Sequence, residues 1–481
     1  MTTIKLDPGA ALLLDALHGA GHAAYAVGGC VRDSLLGLDP HDWDLCTSAR
    51  PEQVMALFGE EKCIPTGLQH GTVTVKQGGR LYETTTFRTE GAYSDGRHPD
   101  AVCFVPDVRE DLARRDFTIN AMAYSAEEGL IDPFGGRDDL AAHLVRAVGE
   151  PERRFEEDAL RILRLYRFAA RFGFAIDPAT GAAARALGPH LDCVSAERIQ
   201  EELLKLLAAP RPGSYLEPAV LAVILPELEP EKQPERFAEL CRTIDRIELT
   251  AENVPTRLAA LLWPLGEAGA RKALRKLKCS NALTDEVTTL VGGSVGSFLL
   301  GHEFELRHPA DALCLERHSH PAGRCPNSNS LFPPQAAVVA VAGHSIARPI
   351  ACGNRVPPQR TVLGETPGTP NTTLTVQAKR LLGRYELPTI QRLTALCSAR
   401  HPEQAVAFAA LRAEAERLTA ENTCCRVSQL AVNGRDLMAA GVRPGPGLRQ
   451  VLNALLEAVI TGQTPNEKDA LLAAVAQFSA S

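Results

Sequence analysis

Gly28-Gly29-Cys30-Val31-Arg32-Asp33, followed shortly by Asp42-Trp43-Asp44, decides the fold. The apolar run Ala23-Ala24-Tyr25-Ala26-Val27 ahead of the glycines predicts a strand that breaks into a tight turn. Glycines there let backbone N–H groups come close to an anion. Alternate residues of a strand share a face, so Asp42 and Asp44 point the same way and are placed to hold Mg²⁺ ions together. A triphosphate beside paired metals is the chemistry of nucleotidyl transfer. A bare Asp-x-Asp is more often a solvated turn or strand edge; the glycine motif just ahead reverses that reading.

Working outward, residues 1–145 read as a mixed α/β head. A helix over about 7–20 leads into the Ala23–Val27 strand, the glycine turn and a short helix near 30–37. A strand over Asp42–Leu45 follows, then a helix from Pro51 to Phe58. Strands over Gly71–Lys76 and Leu81–Phe87 flank a Gly78-Gly79 hairpin turn. Beyond the head the apolar pattern turns helical. The predicted class is α+β: a nucleotide-handling head with a mixed sheet, then an all-α neck (146–210), body (211–293) and tail (376–481). Between 294 and 375 the texture differs, with ten of the 33 prolines, five of the 13 histidines and no lysine. It shows neither helical nor strand period, which predicts a disordered insertion or, for part of it, an altered reading frame of a normally helical region. No recognised metal-ligand spacing occurs there.

Bulk properties narrow the class. A chain of 481 residues predicts two to four units, and 45% apolar with 23% charged residues is ordinary for a globular protein. No apolar run reaches the roughly 18 residues that span a bilayer, and Met1-Thr2-Thr3-Ile4-Lys5 begins no signal peptide. The expectation is a cytoplasmic protein with no membrane partner. Thirteen cysteines without a C-x-x-C pair read as reduced thiols. The net charge of −7 argues against a globally basic nucleic-acid binder, but the cations cluster locally.

Four further constellations carry chemistry. Glu83, in Leu81-Tyr82-Glu83-Thr84, is placed either to complete a carboxylate triad or to face solvent at a strand edge. Arg114-Arg115-Asp116 offers guanidinium groups to phosphate and, in Asp116, an acceptor for a ribose hydroxyl. Arg161, Arg164, Arg167 and Arg171 fan across one side of a helix, opposite Ile162, Leu165, Tyr166, Ala169 and Phe172. Asp158 and Arg161, one turn apart, can address one ligand. Cytosine and adenine both present an amino donor beside a ring-nitrogen acceptor, which a carboxylate and a guanidinium complement. Uracil and guanine present the reverse order. The last constellation, Arg271, Lys272, Arg275, Lys276 and Lys278, puts five cations within eight residues, and Lys379, Arg380 and Arg384 add a second group.

These motifs, with Asp132–Asp139 and Ser195-Ala196-Glu197-Arg198-Ile199-Gln200-Glu201-Glu202, occur in an order that resembles the bacterial class II tRNA nucleotidyltransferases. Those are the CCA-adding enzymes, which share a fold with bacterial poly(A) polymerases. The resemblance runs through about 1–293 and resumes at about 376–481. It implies Mg²⁺ on Asp42 and Asp44; Glu83 stays the candidate third catalytic carboxylate read from its strand position. It further implies that Gly29, Arg32 and Arg115 hold the nucleotide, and the neighbouring Gly28, Asp33 and Asp116 are read from their motifs as nucleotide-binding too. Asp158 and Arg161 then read the base, steadied by Arg164 and Arg167. Its implied partners are CTP, ATP and the tRNA acceptor end, with the two cationic clusters (Arg271–Lys278, and Lys379 with Arg380) tracking the RNA. The alternatives are an A-adding half of a split system, a poly(A) polymerase, and an RNA-binding remnant without catalysis. The segment Arg88–Pro99 fills the place of a loop that CC-only members lack.

Overall fold

The computed structural model describes residues 3–91, 102–250, 253–293 and 373–478. The loop over 92–101 and nearly all of the Pro/His-rich segment therefore lie outside the described residues. The chain divides into two compact units, Met1–Ala310 with Leu381–Thr423, and Asp311–Arg380 with Cys424–Ser481.

Among the described residues the head up to Ile131 carries nine strands: β1 (Ala24–Val27), β2 (Leu45–Thr47), β3 (Cys63–Gly67), β4 (Thr72–Gln77), β5 (Arg80–Thr86), β6 (Arg88–Glu90), β7 (Val102–Phe104), β8 (Ala123–Ser125) and β9 (Gly129–Ile131). Seven of them form one mixed sheet in the order β3-β4-β5-β2-β1-β8-β9, and β6 pairs with β7 separately. Its helices are α1 (Pro8–Gly19), α2 (Gly29–Leu35), α3 (Pro51–Phe58), α4 (Val108–Ala113) and α5 (Gly136–Ala141). Gly78 and Gly79 turn the β4–β5 hairpin with φ of 57° and 78°, and Gln77 pairs with Arg80 across them. That is the two-residue turn expected from a Gly-Gly pair. One face of the sheet packs through Tyr25, Val27, Cys46 and Ala123 against Phe87, Val108 and Leu112.

After the head come α6 (Pro151–Glu157), α7 (Leu160–Phe172), α8 (Pro178–Ala186), α9 (Ala196–Leu207), α10 (Pro218–Ile224), α11 (Pro234–Arg246), α12 (Val254–Leu262), α13 (Gly266–Lys276) and α14 (Asn281–Gly292). Arg257 of α12 is almost wholly buried and donates to the carbonyls of Leu207, Ala209 and Ile247 at 2.6–2.8 Å. Its guanidinium thereby satisfies carbonyls at the end of α9 that have no helical partner. Leu387–Arg400 and Ala405–Ala420 complete this unit. In the other unit, Gly434–Ala439, Pro446–Thr461 and Lys468–Phe478 close over Leu437, Leu455 and Leu471. No helix among the described residues is long and apolar enough to cross a membrane.

Three expectations need correction. The second strand is Leu45–Thr47, and Asp42 and Asp44 lie in the extended lead to it. The helix carrying the arginines starts at Leu160, so Asp158 sits in the break after α6, with φ −148° and ψ 103°. Lys379 is buried (8% exposed) and Arg380 is ion-paired to Glu457, so the tail cluster does not present a bare cationic face.

Candidate active site

Trp43 fixes the direction of the two aspartates. It is buried (6% exposed) while Asp42 and Asp44 on either side of it are exposed, so the alternation of an extended chain holds here. The Asp44 carbonyl accepts from Val27 N–H at 2.9 Å, which ties this lead to the end of β1. β5 lies parallel to β2 with Thr84 opposite Leu45. One residue back are Glu83 on β5 and Asp44 in the lead to β2, both exposed, with their buried neighbours facing the other way. Glu83 is thus on an interior strand and beside the pair.

Burial first, then the Glu83 and Asp42 carboxylates, push the Asp44 carboxyl up to about 6, with Arg115 opposing. Although part of its surface is open, this carboxylate stands among like charges that a cation would relieve. Among the described residues no three His, Cys, Asp or Glu side chains are grouped as a ready-made metal cage. A pair of oxygen ligands that leaves room for substrate phosphates suits Mg²⁺ in particular.

The glycine turn has a steric reason. Gly28 has φ +78°, and a Cβ there would lie 2.8 Å from Nη1 of Arg115. Arg115 holds Asp111 only at 3.5 Å, and among the described residues its buried Nε has no hydrogen-bond partner. A guanidinium with one unsatisfied N–H, and with Nη1 set against a glycine turn, is suited to take a phosphate. Gly28→Ala is expected to cost about 1–3 kcal/mol through the positive φ. It should also raise the KM for nucleotide by displacing Arg115; thermal melts and steady-state kinetics check both.

Arg32 and Asp33 turn inward, against the expectation that they touch the nucleotide. Arg32 is 3% exposed and donates to Asp33 at 2.8 Å and to Asn120 Oδ1. Its guanidinium also packs over Phe168 and Phe172 at 5.3 and 4.9 Å. Asp33 receives Arg171 at 3.2 Å. These residues lock α2 onto α7 and so position the turn.

Asp116 is likewise occupied. It accepts from Arg164 Nε at 2.8 Å, Asn120 Nδ2 at 3.1 Å and Phe117 N–H at 2.9 Å. Burial alone would raise its carboxyl, yet Arg164, Asn120 and Arg161 hold it well below the usual range. Both oxygens are engaged by the protein, which leaves little for a ribose hydroxyl. Glu202 on α9 takes Arg167 at 2.5 Å and lies 3.9 Å from Arg164. The arginine face of α7 is therefore clamped between Asp116 and Glu202.

Asp158 and Arg161 still meet despite the helix break. With Arg114, Arg115, Asp116, Arg164 and Arg198 they line one open pocket of about 280 Å³. Asp158 accepts from Leu160 N–H at 3.0 Å and Arg198 at 2.7 Å. Arg161 donates to Glu157 at 2.7 Å and to the carbonyls of Arg154 and Arg114. Those bonds use three of its five N–H groups. Arg198, Glu202, Asn120, Asp111 and Glu157 carry no individual role in the sequence reading. Arg198 and Glu202, four apart on α9, do have a readable helical spacing.

Away from the pocket, Arg271 is held by Asp285 at 2.8 Å, whereas Lys272, Arg275, Lys276 and Lys278 are exposed.

Comparison with known proteins shows what the chain is similar to. The family model described as "Poly A polymerase head domain" matches residues 24–146, and that of tRNA nucleotidyltransferase domain 2 matches 383–475. A CCA-adding enzyme of Limosilactobacillus fermentum is 33% identical, covering 97% of this chain and 96% of the relative. That of Lactobacillus helveticus is 42% identical over 58% of this chain and 69% of its own length. Among solved structures, the Bacillus stearothermophilus CCA-adding enzyme in complex with CTP superposes with a TM-score of 0.68 at 30% identity, covering 98% of both chains. A glycine turn facing paired aspartates, the arginine-lined pocket beside it and full-length likeness lead to one family: the chain belongs to the CCA-adding enzymes, which are tRNA nucleotidyltransferases.

Proposed function

We propose that this chain adds C, C and A in turn to the 3′ end of tRNA, from CTP and ATP and without a nucleic-acid template. The 3′-hydroxyl attacks the nucleotide α-phosphate and pyrophosphate leaves. The observation that carries the reading is that Asp158 and Arg161 share a pocket with Arg115 and Arg164. Base recognition and phosphate neutralisation are thus offered in one place.

Members of this family need a divalent metal. Here Asp42 and Asp44 would hold Mg²⁺, with Glu83 beside them supplying further negative charge. Bound there, such ions lower the pKa of a hydroxyl and neutralise phosphate charge. The protein's own part is alignment. Arg115 holds phosphate against the turn formed by Gly28 and Gly29. Asp158 accepts from the exocyclic amino group of C or A, while Arg161 donates to the neighbouring ring nitrogen. Asp116 and Glu202 keep Arg164 and Arg167 in place around them. Uracil or guanine would meet both reading groups with donor and acceptor reversed, at about 1–3 kcal/mol for each bond not made.

Arg161→Ala tests this. Incorporation of C relative to U is expected to fall by roughly tenfold or more. Unchanged C and A selectivity in single-nucleotide incubations would refute the reading.

In this account 1–145 is the catalytic head, 146–210 the neck, 211–293 the body and 376–481 the tail. Lys272, Arg275, Lys276 and Lys278 follow the RNA backbone by charge and shape. Substituting Lys272, Arg275 and Lys276 by Gln should weaken tRNA binding and flatten its salt dependence. The log–log slope should fall by about 0.7–0.9 for each phosphate that is no longer neutralised. Identical slopes in variant and parent would remove these residues from the RNA path. A cytoplasmic location fits the RNA and nucleoside triphosphate substrates of this reading.

A further inference from the structure

A second cationic pocket lies in the helical part of the same unit. It encloses about 240 Å³ and is lined by Arg236, Glu239 and Thr243 of α11, Trp263 and Pro264 after α12, and Arg400 at the end of Leu387–Arg400. None of these residues lines the nucleotide pocket.

Its charges are unbalanced. Arg400 lies over the Trp263 ring at 4.1 Å, and among the described residues no hydrogen bond or ion pair holds its guanidinium. Arg236 donates to Gln233 at 2.8 Å and to the Pro264 carbonyl at 3.4 Å, neither of which neutralises it. Among the described residues Glu239 is the one carboxylate in the lining, and Arg242 and Arg246 take its two oxygens at 2.7 and 2.8 Å. The lining thus sets two guanidinium groups against one carboxylate, and Arg242 and Arg246 outside the lining already occupy that carboxylate. Burial, with Arg236 nearby adding to it against Cys397 and Glu239, brings the Arg400 pKa down to about 10. A half-buried guanidinium with open donors beside a second one is electrostatically unfavourable until an anion enters. The planar donor forks of two arginines fit the oxygens of a phosphate, and the Trp263 face fixes the plane of one fork.

We propose that the Arg236–Trp263–Arg400 pocket is a phosphate-binding site separate from the catalytic one. The phosphate comes either from an RNA backbone, in which case the site rests on the function proposed above, or from a free phosphate ion.

Two measurements on the full chain test this, with Arg400→Met and, to guard against a folding defect, Arg236→Gln. The first is calorimetric titration with inorganic phosphate, without nucleotide, RNA or metal. The parent is expected to bind, and each variant to bind at least about tenfold more weakly. The second is the salt dependence of binding to tRNA lacking its 3′ CCA. A log–log slope reduced by about one in the variants assigns the site to an RNA phosphodiester. An unchanged slope with phosphate binding lost assigns it to a free phosphate. If neither phosphate affinity nor slope changes, the pocket is only a packed cation–π pair and the proposal is overturned. The phosphate arm is read without RNA or nucleotide, so it stands or falls independently of whether the chain adds C and A.

Discussion

Asp42→Ala is expected to lower the incorporation of every nucleotide by about 10³-fold or more, while tRNA binding stays within about twofold. Metal-assisted charge neutralisation contributes several kcal/mol to reactions at phosphorus, and each 1.36 kcal/mol is a factor of ten in rate. Asp42 is exposed and no hydrogen bond or ion pair holds its side chain among the described residues, so its removal should not unfold the head. Trp43, buried next to it, keeps the extended lead in register. Losing C and A addition together, with folding and RNA affinity retained, would separate a chemical role from a structural one. Asp44→Ala should act alike. Glu83→Gln should have a smaller effect, since that side chain shares the charge but stands outside the Asp-x-Asp pair. Equal activity in Asp42→Ala and parent would sink the metal assignment.

Asp116→Asn should produce the largest loss of stability. Asparagine keeps the shape of the side chain but removes the charge that faces Arg164 at 2.6 Å. Arg164 is then left half-buried, with Glu202 3.9 Å away as its nearest carboxylate. Breaking one side of a buried ion pair costs about 3–5 kcal/mol. The sign of the pH dependence follows from the depressed carboxyl of Asp116. Its contribution is present above the unfolded value of about 3.9 and is lost as pH falls through the folded one. The parent should therefore lose stability below about pH 4 more steeply than the variant. Denaturant midpoints at pH 7 and pH 3.5 check this. Equal midpoints at pH 7 would show that the network around α7 does not support the pocket.

Much of the fold is legible in the sequence because it is local. The Gly78-Gly79 turn and α3 fall where the chain pattern puts them, and the Asp42/Asp44 alternation survives although both precede the strand itself. What the sequence hides is non-local. Glu83 reaches Asp44 only because β5 docks parallel to β2, a pairing of strands distant in sequence. Arg198 reaches Asp158, and Asn120 reaches Arg32, across 40 and 88 residues. The break at Asp158 does leave a local signal: an aspartate just ahead of an apolar helix accepts the Leu160 N–H, as capping side chains do. Lys379 misleads because charge alone does not show which face a residue lies on. Ala378 and Leu382, at helical neighbours of it, are buried too.

The most direct test of the central claim is to incubate the protein with Mg²⁺, CTP, ATP and a tRNA lacking its 3′ CCA, then sequence the product. The account predicts two C and then one A, with extension stopping there, and C but no A when CTP is given alone. A ladder of A residues, or A added only to tRNA that already ends in CC, would contradict it.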